Sequence, residues 1–127
     1  MPDGKEIRLF TIKNSNGIIL QVITLGATLQ ALYTPDKYGR LSDITVGFDS
    51  LYGHLNFTDY QGKVVGRYAN RIANGSFMMN GKKIQLIQNE KGKTCLHSAG
   101  EFSNAVWDAG PKHTLIDFHR MMTRLVE

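Results

Sequence analysis

Between Gly66 and Gly75 the chain reads Gly66-Arg67-Tyr68-Ala69-Asn70-Arg71-Ile72-Ala73-Asn74-Gly75, with two arginines, two asparagines and a tyrosine between glycines. Guanidinium and carboxamide groups offer several directed donors and acceptors, the equipment for holding neutral, hydroxyl-rich ligands. Further on, Thr94-Cys95-Leu96-His97-Ser98-Ala99-Gly100 sets a histidine among small residues. An imidazole can give or take a proton near neutral pH. A lone histidine is nevertheless more often a surface or satisfied core residue than a catalyst. Arg67 or Arg71 could equally form ordinary ion pairs, with the asparagines serving turns. If the segment is extended, Arg67, Ala69, Arg71 and Ala73 share one face and Tyr68, Asn70, Ile72 and Asn74 the other. A site built from Asn70 and Arg71 together therefore needs a bend, which the flanking glycines permit.

These residues must be positioned by elements that read mostly as β. Strands are expected over 7–12, over 18–25 after the turn Asn14-Ser15-Asn16-Gly17, from Ala27 to Tyr33, and over 44–48. Thr34 to Arg40 is punctuated by Pro35 and Gly39 and reads as a loop. Ser50 to Leu55 reads as a short helical turn capped by Asp49. Asn80-Gly81 predicts a two-residue hairpin with a type I′ turn, pairing Met79 with Lys82 and Phe77 with Ile84. After Pro111 the apolar residues Leu115, Phe118, Met122 and Leu125 recur at spacings of three and four, which predicts a helix. Regular strands, turn residues between them and few helices point to an antiparallel all-β sandwich.

At 127 residues, 42% hydrophobic and 20% charged, the chain is one domain of ordinary globular composition. The net charge of +4 is spread along the chain without a basic run or a nucleic-acid motif, so no nucleic-acid partner is expected. No apolar run approaches the length of a membrane span and the N-terminus lacks a signal-type apolar region, so a cytoplasmic protein without a membrane partner is expected. The single Cys95 forms no internal disulfide and makes no metal cluster. Trp107 and the tyrosines could stack on the flat face of such a hydroxyl-rich ligand, although packing is their default role.

The Gly66–Gly75 segment and the Leu96-His97 core of the later loop resemble the N-terminal part of the aldose 1-epimerases, the galactose mutarotases. Leu25-Gly26-Ala27-Thr28, Pro35-Asp36 with Gly39, and Val46-Gly47-Phe48-Asp49 also match. The first segment matches almost letter for letter; Ser98-Ala99-Gly100 stands where Gly-Gly is usual. The resemblance spans roughly Ile7 to Trp107. It implies a large β-sandwich, of which residues 1–110 would be the N-terminal part and 111–127 a divergent, helical tail. It implies interconversion of the α and β anomers of hexoses such as galactose and glucose, with no metal or organic cofactor. Asn70 and Arg71 would bind substrate, and His97 would be the catalytic-site histidine, contacting the sugar around its ring oxygen. Mutarotation needs a base for the anomeric hydroxyl proton and an acid for the ring oxygen. In the family these are a glutamate far toward the C-terminus and a second histidine; Glu6, Glu90, Glu101 and Glu127 match no such position. A truncated protein with little or no activity alone is therefore expected. A non-catalytic carbohydrate-binding remnant and an interaction module are the alternatives, with self-association possible through exposed edges or the tail.

Overall fold

The computed structural model describes residues 4–57, 59–112 and 115–119. Four strands form an antiparallel meander in the order β1 (Leu9–Lys13), β2 (Ile19–Ile23), β3 (Thr28–Pro35) and β4 (Leu41–Asp43). The turn between β1 and β2 is set by Asn14, whose Oδ1 accepts from the backbone N–H groups of Asn16 and Ile18. Asp36 acts in the same way between β3 and β4, accepting from the N–H groups of Tyr38 and Arg40. Such short side chains give turn N–H groups the partners that a ladder would otherwise supply.

β4 ends before the strand expected over 44–48. The carboxylate of Asp43 accepts from the N–H groups of Leu32 and Thr45 and from the Thr45 hydroxyl. The side chain thereby takes the place of the next ladder bond, and Ile44 and Val46 are left exposed. The expected helical turn is present as α1 (Leu51–Asn56), but its cap is Ser50 rather than Asp49, and Ser50 makes no side-chain capping bond.

The second half of the chain consists of β5 (Arg71–Ala73), the hairpin β6 (Ser76–Met79) and β7 (Lys82–Gln85), β8 (Thr94–Leu96), and the pair β9 (Asp108–Lys112) and β10 (Leu115–His119). The β6–β7 hairpin has the expected register, Met79 opposite Lys82 and Phe77 opposite Ile84. Asn80 and Gly81 both adopt positive φ (50° and 76°), as a type I′ turn requires. Phe77 also meets Tyr68 edge-on at 5.6 Å between ring centres, which ties the hairpin to the Gly66–Gly75 segment.

The helix expected after Pro111 is corrected over Leu115–His119. That stretch is a strand, antiparallel to β9, with Phe118 opposite Ala109 and His119 opposite Asp108. Ile116 and Phe118, two residues apart, have the alternation and β preference of a strand, and this outweighs the three-residue spacing of Leu115 and Phe118. Residues 120–127, with Met122 and Leu125, lie outside the described residues.

Among the described residues the buried apolar side chains are Ile23, Leu25, Ala31, Cys95 and Ala109, accompanied by buried Thr24, Thr28, His54 and Ser103. The chain at 105–107 is stitched beside 24–26, because Gly26 N–H donates to Ala105 O (2.7 Å) and Trp107 N–H to Thr24 O (2.8 Å). Many large apolar side chains remain exposed, among them Ile44, Val46, Leu51, Leu55 and Phe57 in one stretch of chain. Among the described residues no helix is long and apolar enough to cross a membrane.

Candidate functional site

Asn70, Arg71 and His97 come together at one end of the β5–β8 pair, where Arg71 lies opposite Leu96. The bend that a joint site requires falls on Asn70 itself, at φ 60°. Asparagine tolerates this left-handed backbone better than most residues. The turn makes Asn70 and His97 reciprocal partners. Asn70 N–H donates to His97 Nδ1 at 3.0 Å, and His97 N–H donates to Asn70 O at 2.9 Å. Because Nδ1 accepts a backbone N–H, the proton of the neutral imidazole sits on Nε2, which becomes a donor.

The side chain of Asn70 then reaches Arg71: Arg71 Nη1 donates to Asn70 Oδ1 at 3.0 Å. The other edge of the guanidinium is held by Glu90. Arg71 Nε donates to Oε1 (3.0 Å) and Oε2 (2.8 Å), and Nη2 donates to Oε1 at 2.7 Å. Hydrogen bonding to Arg71 holds the Glu90 carboxyl below the ordinary carboxylate range. The same bonds raise the basicity of Arg71. Of the five guanidinium N–H groups, Nε–H, one on Nη2 and one on Nη1 are engaged. One on each terminal nitrogen remains available, and the Arg71 side chain is 56% exposed.

His97 is supported from two further sides. The Tyr60 ring lies 4.6 Å from the imidazole, centre to centre, tilted by 55°. Asn89 supplies Leu96 with both a donor and an acceptor: Asn89 Nδ2 donates to Leu96 O (3.0 Å), and Leu96 N–H donates to Asn89 Oδ1 (2.8 Å). His97, Ser98, Ala99 and Gly100 follow one another at positive φ (48°, 53°, 54° and 80°), a run in which glycine would be the unstrained choice. This accounts for the weight of glycine in the motif that Ser98 and Ala99 depart from. Ser98 offsets part of its strain, because its hydroxyl accepts from Tyr68 N–H (2.6 Å) and donates to Tyr68 O (3.2 Å).

A cleft of about 580 Å³ opens beside this constellation. Tyr60, Asn89, Glu90, Leu96, Ala99 and Asn104 are among its walls, while Asn70, Arg71 and His97 are not. Tyr60 and Glu90, which contact His97 and Arg71, thus line the cleft.

The remaining possibilities resolve structurally. Arg67 pairs with Glu101 (3.1 Å) and lies over Phe102. Trp107 donates to Phe102 O at 3.0 Å and meets that ring edge-on, so it packs. Cys95 is buried. His54, only 4% exposed, is a buried polar residue of the core. Gln30 Nε2 donates to Phe48 O (2.6 Å), which turns Gln30 Oε1 toward His54 Nε2 at 2.8 Å. His54 Nδ1 has no partner among the described residues. Burial and then the Lys63 charge depress the basicity of His54. Among the described residues no cluster of three His, Cys, Asp or Glu could hold a metal.

The sequence profile of the aldose 1-epimerase family matches residues 8–120. The chain belongs to the aldose 1-epimerase family. It is 38% identical to bovine galactose mutarotase over 108 residues, covering 84% of this chain and 31% of that protein. It is 34% identical to human galactose mutarotase over 118 residues, covering 93% of this chain and 34% of that one. The structure of an aldose epimerase homologue from C. elegans superposes with a TM-score of 0.80 at 29% identity, over 89% of this chain and 35% of that chain. The chain thus spans about a third of the length of the relatives it matches. The family match also runs past Trp107 and through the whole of β10.

Glu90, Tyr60 and Asn89 were not legible as site residues in the sequence. Glu90 lies 19 residues from Arg71, and no local pattern predicts a pairing at that separation.

Proposed function

We propose that Asn70, Arg71 and His97 form the hydroxyl-gripping side of an aldose 1-epimerase site. On this reading the 127-residue chain by itself binds hexoses such as galactose and glucose with little or no turnover. The observation that carries the proposal is the single bonded constellation of the three residues, with donors left over: two N–H groups of Arg71 and Nε2–H of His97. Directed N–H donors suit neutral hydroxyl and ring oxygens.

Anomer exchange needs more than a grip. The anomeric hydroxyl must lose its proton to a base while an acid protonates the ring oxygen; the hemiacetal opens, the carbonyl turns, and the ring recloses on the other face. His97 Nε2–H is placed to donate to or polarise a sugar oxygen. Its Nδ1 is already committed to Asn70 N–H, so a proton added there would cost that bond. Glu90, the carboxylate within the constellation, is bound to Arg71 and weakened as a base. On this reading the site holds and orients a hexose, and the base and acid of the reaction come from other parts of the family's longer chains.

Polarimetry on freshly dissolved α-galactose, beside calorimetric titration of the same protein, tests the proposal. Weak binding, reduced about tenfold in Arg71→Ala, with no acceleration of mutarotation is the expected result. Turnover near that of a complete family enzyme would overturn it. A self-associating chain also belongs to this proposal, on the strength of the exposed Ile44, Val46, Leu55 and Phe57.

A further inference from the structure

Arg71 offers two faces to a ligand, and Glu90 occupies one of them. Guanidinium takes up carboxylate or phosphate through paired, parallel N–H donors, and its Nε–Nη2 edge is such a fork. Both donors of that edge are spent on Glu90 at 2.7–3.0 Å. Nη1 is spent in part on Asn70 Oδ1. The N–H groups that remain belong to an ion pair whose charge is already balanced.

We propose that Glu90 is a positioning and specificity residue of this site: it aims the Arg71 guanidinium and keeps it for neutral hydroxyls, turning away phosphate and phosphorylated sugars. The inference rests on the sugar-binding reading above and names its substrate class. An anion approaching Arg71 meets a second negative charge a few ångströms away, and the Nε–Nη2 fork is closed to it. A hydroxyl pays no such repulsion and needs only a single N–H. Lys91, next in sequence and exposed, is a cation that acts on the Glu90 charge.

The experiment follows the Arg71 Nε–H resonance of the full 15N-labelled chain during titration with inorganic phosphate at low ionic strength. In the wild type this resonance stays where it is. In Glu90→Gln it moves to saturation, with phosphate affinity raised about three- to tenfold by removal of the neighbouring charge. The Asn70 and His97 backbone amides, followed in parallel in every protein, show the same gain in Glu90→Gln and none in the double variant Glu90→Gln with Arg71→Ala. An equal phosphate response in wild type and Glu90→Gln overturns the role of Glu90, as does a gain that persists in the double variant. A galactose arm on the wild type reads the function separately: silence there overturns the proposed function, whatever phosphate does.

Discussion

Asn70 and His97, 27 residues apart, exchange two hydrogen bonds: the Asn70 N–H ends on the imidazole and the His97 N–H on the Asn70 carbonyl, at 3.0 and 2.9 Å. The exchange requires Asn70 at φ 60°. Substitution should therefore separate backbone from side chain. Asn70→Ala is expected to cost about 1–2 kcal/mol of stability, since alanine is strained in the left-handed region. Asn70→Gly should be the more stable of the two by about 1 kcal/mol, because glycine takes this backbone freely. Both variants lose Oδ1 as a rest for Arg71, so both should bind galactose more weakly. Chemical denaturation and calorimetry on the pair check this; equal stability of the two variants would contradict it.

What could be foreseen of this arrangement depended on distance along the chain. The β6–β7 hairpin was legible because Asn80-Gly81 specifies its turn locally. The three proposed site residues were legible only through resemblance to a family. Local reasoning placed the required bend on the flanking glycines, whereas it falls on Asn70. The strand expected over 44–48 failed because the alternation of Ile44, Val46 and Phe48 carries no trace of Asp43 capping the ladder from the side. The helix expected at Leu115 failed for a related reason: five residues fit both periods, and pairing with Asp108–Lys112 decides between them.

Ser98 and Ala99 offer a test of the strained loop. Ala99→Gly at φ 54° should stabilise the protein by about 0.5–1 kcal/mol, since the relief of left-handed strain exceeds the entropy cost of glycine. Ser98→Ala should destabilise it by about 1 kcal/mol, because Tyr68 loses its hydroxyl partner. Thermal unfolding of both variants checks the two signs.

His54 should make stability depend on pH on the acid side of neutrality. Its basicity is lowered in the folded state, first by burial and then by Lys63. The unfolded chain therefore binds more protons once the pH falls below the ordinary histidine value of about 6.5. Stability is fully present above that pH and falls as the pH drops toward the depressed folded value, by at most about 1.4 kcal/mol per pH unit from this group. His54→Gln, which does not titrate, should flatten the slope between pH 7 and 5 in denaturant titrations. An unchanged slope would remove His54 as its cause.

The Arg71–Glu90 pair titrates lower. The folded-state carboxyl is depressed by its bonds to Arg71, so the pair is complete above the ordinary glutamate range and is lost as the pH falls through the depressed value. Galactose binding should weaken in that acid window and lose this limb in Glu90→Gln. Calorimetry across the window reads it.

Exposed Ile44, Val46 and Phe57 should drive association at high concentration. Light scattering is expected to give a mass that rises with concentration and falls back toward a monomer in Val46→Asp with Phe57→Ser. A wild type that remains monomeric throughout would contradict this.

The most direct measurement is titration of galactose into the isotope-labelled chain, following the Asn70 amide, the Arg71 Nε–H and the His97 ring together. A shared grip predicts that all three move with one saturation curve and that Arg71→Ala abolishes the response at the other two. Three unmoved resonances, or shifts confined to residues away from the β5–β8 end, would contradict it.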